Sequence, residues 1–448
     1  MIKYKRLLHK VKGDEKMTQA TIAIIIFAAA FISFILEKIP LAMTCLAGGL
    51  AMALTGCMEL KDVYSGFGSD TTIMVAAMIF VGIALDDVGL TDMLGRGISH
   101  LGLHKNERVF IFALFLISAF LSAFLSNSAV IAMLIPVIQA MSKAPGSKIT
   151  QKHSIMPTGM AAGIGGGLTL IGTPPQLVAS NILTESGIEG TRAITFWETG
   201  YTMLPIVIVV AIYFATIGYQ IEKKVLKDRP TNALDDLMLE NGATESKRSV
   251  PKWKLWFAGA VSIFLAAAFI IGLWDVAIIA LIGAVLLIST GCISWKKALR
   301  DADWNTIIIV GSSTALATGL NKSGGGLAIA QAAVNLFGGE DASKYVMLVV
   351  LVFLSVFLTN FMGNIALVAA LVPIALEIAV LVGANPMGYA LTCTVACLLA
   401  ISTPIGTGAV TQTLVGGYKF KDYIKIGLPI NLIIACMLCV IAPLVYAI

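Results

Sequence analysis

Two short stretches of this chain read as copies of one another, and both interrupt long apolar runs. Residues 125–136 read LSNSAVIAMLIP, and residues 362–373 read MGNIALVAALVP. In each, an Asn follows a small residue, and an apolar segment runs to a Pro nine positions on. A second doubled stretch follows each copy: IGTPPQ at 171–176 after a glycine run, and IGTGAV at 405–410 after Ser402-Thr403-Pro404. The offsets agree, with 237 positions from Asn127 to Asn364 and 234 from Thr173 to Thr407. Small polar residues with Gly and Pro break helices, and a bilayer tolerates unpaired backbone only where protein or a cavity covers it. Matching interruptions in two halves are the sequence pattern of a transporter's binding site.

Composition agrees with a membrane setting. Apolar residues make up 58% of the chain and charged residues 13%, with a mean hydropathy of +0.89. Soluble domains carry about 25% charged residues. Apolar runs of about twenty residues recur and leave little chain for a soluble domain. The seven cysteines stand mostly in apolar segments without a His or carboxylate beside them, so they read as buried small hydrophobes rather than metal ligands.

In chain order, a basic extension (1–17) precedes apolar spans at about 18–36, 41–57 and 71–90, then an amphipathic piece at 91–103. The segment 107–141 is apolar but holds Ser118, Ser122, Ser126, Asn127 and Ser128, which suits a re-entrant hairpin better than one overlong span. A broken span (155–186) and a span at 198–221 follow. After a hydrophilic connector at 222–252, the second half (253–448) replays the first: spans at 254–272, 276–291 and 304–320, a linker helix near 325–337, a hairpin at 343–380, a broken span at 387–416 and a last span at 424–447. The fold expected is an all-α polytopic membrane protein of two repeats. Five crossings each, an odd number, make the repeats inverted.

Charge sets the orientation. Arg96, Lys105, Arg108, Lys143, Lys148, Lys152, the connector, Lys296, Lys297, Arg300, Lys419, Lys421 and Lys425 fall on one side. Glu59, Asp62, Glu185, Glu189, Asp275, Glu340 and Asp341 fall on the other. The connector is therefore expected on the cytoplasmic side of a cell membrane. By this count residues 1–17 lie outside, against the positive-inside rule, and we take Met17 as the expected start.

At hairpin tips and helix breaks, helix N-termini favour an anion. Unwound carbonyls with Ser, Thr and Asn oxygens suit Na⁺. The four motif stretches hold no Asp, Glu, Lys or Arg, so an anion there is held by hydroxyls, amides and dipoles. Taken singly, Ser118, Ser122 and Ser126 also read as close-packing residues and the glycine run 163–167 as helix contact. It is the register between the halves that favours a site. No nucleophile–base pair or nucleotide loop is present, and His9, His100, His104 and His153 fall in expected loops or the extension, so an enzyme is not expected. Neither is a cofactor or a nucleic-acid partner.

These motifs resemble the divalent anion–sodium symporter family, the carriers of dicarboxylates, citrate and sulfate. Ser126-Asn127-Ser128 and Gly172-Thr173-Pro174-Pro175-Gln176 are similar to its first Ser-Asn-Thr tip and Thr-Pro-Pro-Asn break. Thr359-Asn360-Phe361-Met362-Gly363-Asn364-Ile365 and Gly406-Thr407-Gly408-Ala409-Val410 are similar to the second pair, and Glu37-Lys38-Ile39-Pro40 to an early Glu-Pro-x-Pro. The resemblance implies an elevator-type, sodium-coupled symporter of a small organic dianion, a homodimer in the lipid bilayer. It implies one sodium at Ser122, Ser126, Asn127 and Gly172, and another at Thr359, Met362, Asn364 and Gly406. Substrate would meet Asn127, Ser128, Thr173, Asn364, Ile365 and Gly408. Ile365 lacks the family's hydroxyl and Gly408 replaces a Pro, so a substrate other than a simple four-carbon dicarboxylate is expected. The alternatives are a sodium-independent anion exchanger or an ion or oxyanion extruder of the wider superfamily. The family's usual first span is missing, since residues 18–36 match its second.

Overall fold

The structure, a computed structural model, describes residues 14–36, 38–89, 105–231, 251–271, 273–337, 343–404 and 406–448. The basic extension up to residue 13, the amphipathic piece 91–103, most of the connector, Glu37, His9, His100, His104, Glu340, Asp341 and Ile405 lie outside the described residues.

Every described element is helical. The first half runs α1 (Asp14–Leu36), α2 (Leu41–Leu54), α3 (Asp70–Asp87), α4 (Glu107–Ser122), α5 (Asn127–Ser142), α6 (Gln151–Gly165), α7 (Pro174–Glu185), α8 (Gly200–Ala215) and α9 (Ile217–Val225). The second runs α10 (Lys252–Ile271), α11 (Val276–Ser289), α12 (Trp304–Lys322), α13 (Gly325–Leu336), α14 (Lys344–Leu358), α15 (Asn364–Leu381), α16 (Pro386–Cys397), α17 (Gly408–Gln412) and α18 (Phe420–Tyr446). Side chains set several starts. Asn106 Oδ1 accepts from Arg108 N at 3.1 Å to cap α4, Asp275 caps α11, Asp303 caps α12 and Asn385 caps α16 ahead of Pro386.

The halves interlock crosswise. α2 packs on α12, and its counterpart α11 packs on α3. α7 lies against α15 and α16, while α17 lies against α5 and α6. This exchange buries α6 and α16 almost completely: within them only Lys152 and Pro386 fall short of full burial. Lipid offers no hydrophobic drive between helices, so small residues and polar links hold such a core. A Cβ on Gly165 of α6 would strike the Ala119 backbone of α4, which only Gly permits. Asn181 Nδ2 donates to Thr314 Oγ1 at 2.7 Å, joining α7 to α12. Lys322 pairs with Asp62 at 2.7 Å, and Lys297 with Asp87, each across the two halves.

Three described helices are long and apolar enough to cross a bilayer alone, or up to five if each bent pair forms one span. Two expected crossings are shorter: α2 and α11 have 14 residues each. The expected span at 198–221 is a second difference. It breaks at Thr216 (φ −122°, ψ −92°), and α9 leaves α8 at 52°. Thr216 Oγ1 donates to Ile212 O at 2.6 Å, competing with the backbone at that point. α9 carries Glu222, Lys223 and Lys224, so it lies beyond the apolar span as an amphipathic elbow. Exposed Trp253, Trp256 and Ile263 on α10 and Leu428, Leu432 and Val440 on α18 form the kind of surface that lipid covers. Of the cysteines, Cys436 is exposed, unlike the buried setting expected for most of them.

Candidate functional site

The two hairpins, α4–α5 and α14–α15, end alike. α4 stops at Ser122 and α5 starts at Asn127, with Ser126 Oγ accepting from Ala129 N at 3.3 Å as the cap. Ser122 Oγ lies 2.6 Å from Asn127 Oδ1 and 2.7 Å from Ala162 O in the last turn of α6. α14 stops at Leu358 and α15 starts at Asn364. Thr359 Oγ1 lies 2.8 Å from Asn364 Oδ1 and 2.5 Å from Cys397 O, the final carbonyl of α16.

A hydroxyl has one proton, yet each of these faces two acceptors. The second tip carries the surplus further. The Asn364 amide position nearest its neighbours lies 3.3 Å from Cys397 O, 2.8 Å from Thr359 Oγ1 and 3.1 Å from Gly406 O. With oxygen there, four acceptors converge with one hydroxyl proton among them; with the amide turned, its two N–H groups reach Thr359 Oγ1 and Gly406 O while the Thr359 hydroxyl donates to Cys397 O. Either a cation or the turned amide satisfies the cluster. At the first tip, Asn127 Oδ1 and Gly172 O both crowd the place where a Cβ on Gly166 would sit, at 2.7 Å and 3.2 Å. Carbonyls at helix C-termini add negative potential, which favours a cation at both places.

A cavity of about 560 Å³ lies between the tips. The starts of α5, α7 and α15 open onto it through Asn127, Thr173 and Asn364, while Val75, Met78, Ile79 and Gly82 of α3 form an apolar wall. Among its described lining residues there is no Lys, Arg or His. Asp301 and Asp303 also stand at one side, one in an ion pair and the other as a helix cap. Asp303 accepts from Thr306 N at 3.1 Å and Thr306 Oγ1 at 2.5 Å, and Asp301 pairs with Arg300 at 2.7 Å. What remains for a guest is three helix N-termini, hydroxyls, amides and an apolar wall, a setting that accepts a small anion with a nonpolar body.

Of the residues singled out from the sequence, Ser126, Asn127, Ser128, Gly172, Thr173, Asn364, Ile365, Gly406 and Gly408 line this cavity together. Ser122 and Thr359 are fully buried behind the two Asn residues. Met362 is buried and outside the lining. Gly408 faces Ser128, whose Oγ would lie 3.1 Å from a Cβ at 408. Sequence reasoning missed the α3 wall, because a uniformly apolar span carries no mark of which face meets a cavity. It also missed the carbonyls of Ala162 and Cys397, since backbone atoms leave no trace in residue identity. His153 is a correction. It lies on the first turn of α6, not in a loop, and its Nδ1 lies 2.8 Å from Thr150 Oγ1. Asn106, Glu107 and Thr150 fold that region into helix starts, which residue spacing did not reveal.

The family model of the citrate transporters, CitMHS, matches residues 31–394. The chain belongs to that family. A transporter of Haemophilus influenzae, itself uncharacterised, is 28% identical over 95% of this chain and 92% of its own length. The sodium-dependent dicarboxylate transporter SdcS of Staphylococcus aureus is 24% identical over 91% of this chain and 82% of its own. Two solved structures share the fold. The YdaH transporter of Alcanivorax borkumensis has a TM-score of 0.62 at 16% identity, covering 92% of this chain and 97% of that one. MtrF of Neisseria gonorrhoeae, from a class of antimetabolite efflux pumps, has a TM-score of 0.59 at 15% identity, covering 95% and 94%. The protein is thus a multi-pass membrane transporter within the wider ion-transporter group.

Proposed function

We propose that this chain is a sodium-coupled symporter of a small organic dianion, working in the cytoplasmic membrane as a homodimer by an elevator movement. One observation carries the reading: two acceptor-rich oxygen clusters, one at each hairpin tip, flank one cavity that has helix N-termini but no cationic side chain among its described lining residues. Ser122, Ser126, Asn127 and Gly172 are assigned to one sodium, and Thr359, Met362, Asn364 and Gly406 to the other. Asn127, Ser128, Thr173, Asn364, Ile365 and Gly408 are assigned to the substrate. Sodium at the clusters would supply the positive charge that the cavity's side chains lack, so ion and anion bind together. The crosswise packing of α2 with α12 and α11 with α3 supports two inverted repeats, 18–221 and 253–448, joined by a cytoplasmic connector at 222–252. The printed activity of the Staphylococcus aureus relative supports sodium and a dicarboxylate, and the family's description makes citrate a substrate to test beside it.

The test is uptake of labelled succinate, malate, citrate and sulfate by proteoliposomes, with and without a sodium gradient. Uptake of a carboxylate that rises steeply with external sodium is expected. Equal uptake without sodium, accelerated by anion loaded inside, would replace the symporter with an exchanger.

A further inference from the structure

Away from the cavity, the junction of α4, α6, α8, α9 and α18 buries two carboxyl groups with opposite surroundings. Glu107, at the start of α4, is richly served. Its Oε1 accepts from Thr150 N at 2.8 Å and from Thr150 Oγ1, with His153 Nδ1 at 3.4 Å, and its Oε2 accepts from Tyr219 OH. Glu222 of α9 is fully buried, and neither of its carboxyl oxygens has a hydrogen-bond partner among the described residues. An ionised carboxylate in that position would be buried without a donor, at a cost that no cation among the described residues offsets. Glu107 is the charged group that acts on it most directly, and it is a like charge, which further favours the neutral acid at Glu222.

The other groups around the junction are accounted for. From α4, Arg108 stands over the Tyr219 ring at 5.1 Å, and from α9 Lys223 stands over the same ring at 5.1 Å. Tyr213 of α8 donates to Ile426 O at 3.5 Å. Tyr418, ahead of α18, donates to Lys152 O at 2.8 Å and stacks edge-on to Tyr423. Asp422 of α18 is paired with Arg229 at 2.7 Å. His153 and Glu107 face each other, as above. None of these supplies Glu222 with a donor.

We propose that Glu222 is a proton-binding site, carrying one proton in the folded protein beside an ionised Glu107. This makes the protein pH-sensitive at a place separate from the cavity, and the inference does not depend on which substrate or coupling ion the transporter uses. The sign follows from linkage. The unfolded chain releases this proton at the ordinary Glu value of about 4.3, whereas the folded chain keeps it. Above that pH the folded state holds more protons, so raising the pH weakens the fold until Glu222 is forced to ionise.

The experiment is thermal unfolding of the purified full chain in detergent across a series from about pH 5 to about pH 9, for wild type, Glu222→Gln and Glu222→Met. Gln imitates the neutral acid, and Met fills the volume without a polar demand. Wild type is expected to lose apparent Tm as pH rises, up to roughly a tenfold change in the folded-to-unfolded ratio per pH unit. Both variants should show a shallower curve, with Tm at the alkaline end at or above wild type. Curves parallel to wild type in either variant would overturn the proposal. Should neither variant fold, infrared spectra of wild type with isotope-labelled glutamate decide: a protonated-carboxyl band at neutral pH supports the site, and its absence sinks it.

Discussion

Replacing Thr359 by Val separates the structural work of one hydroxyl from its proposed ionic work. The two side chains have nearly the same shape, so the exchange removes one oxygen and leaves the packing in place. In the protein that oxygen lies 2.5 Å from Cys397 O and 2.8 Å from Asn364 Oδ1. Losing a donor to a buried carbonyl costs about 1–3 kcal/mol. The Asn364 amide offsets part of that loss here, because its NH₂ can turn to donate to Cys397 O at 3.3 Å and to Gly406 O at 3.1 Å. The apparent Tm should therefore fall only modestly. Sodium has no such substitute. A contact to a charged group is worth about 1.5–3 kcal/mol, which at about 1.4 kcal/mol per tenfold is roughly a 10- to 150-fold loss of apparent sodium affinity. The assay is initial uptake by proteoliposomes over a sodium titration at fixed substrate. Ser122→Ala, which removes the matching oxygen 2.6 Å from Asn127 Oδ1, should shift the curve the same way. An unmoved sodium midpoint in Thr359→Val, with Tm lowered by several degrees, would show that the hydroxyl serves only the fold and would refute the cation reading of that cluster.

Three further outcomes are expected. Ile365→Thr restores a hydroxyl on the cavity wall, so succinate should compete several-fold better against the best substrate; unchanged competition would show that position 365 does not face the guest. Gly165→Ala forces a methyl into the Ala119 backbone, and overpacking of this kind costs about 1–3 kcal/mol; an unaltered Tm would mean that α4 and α6 separate freely. Gly82→Ala adds a methyl where, among the described residues, no heavy atom beyond its chain neighbours and own helix backbone lies within 4 Å, so the fold should be indifferent while uptake of the bulkier tricarboxylate citrate falls relative to succinate. Uptake of both substrates unchanged from wild type would place that wall outside the substrate's reach.

The sequence alone carried the class of molecule, because apolar runs interrupted at Asn127, Thr173, Asn364 and Thr407 have few other ways to satisfy their backbone. It also carried the pairing of the interruptions, since a repeat is a property of residue order. The start of α5 at Asn127 follows from the Ser126 cap, chemistry that can be read locally. What it did not carry was everything set by approach between distant segments. That Ala162 O and Cys397 O close on the two tips depends on where α6 and α16 end in space, and backbone carbonyls are common to every residue. The α3 face on the cavity was hidden because in lipid-like surroundings apolar residues line walls and cores alike. The bend at Thr216 was hidden because one Thr in an apolar run is ordinary. Glu107, His153, Tyr219 and Glu222 are scattered over more than a hundred positions. Only the packing of α4, α6 and α9 brings them to one junction, and only burial without a donor turns an ordinary glutamate there into a group that holds a proton.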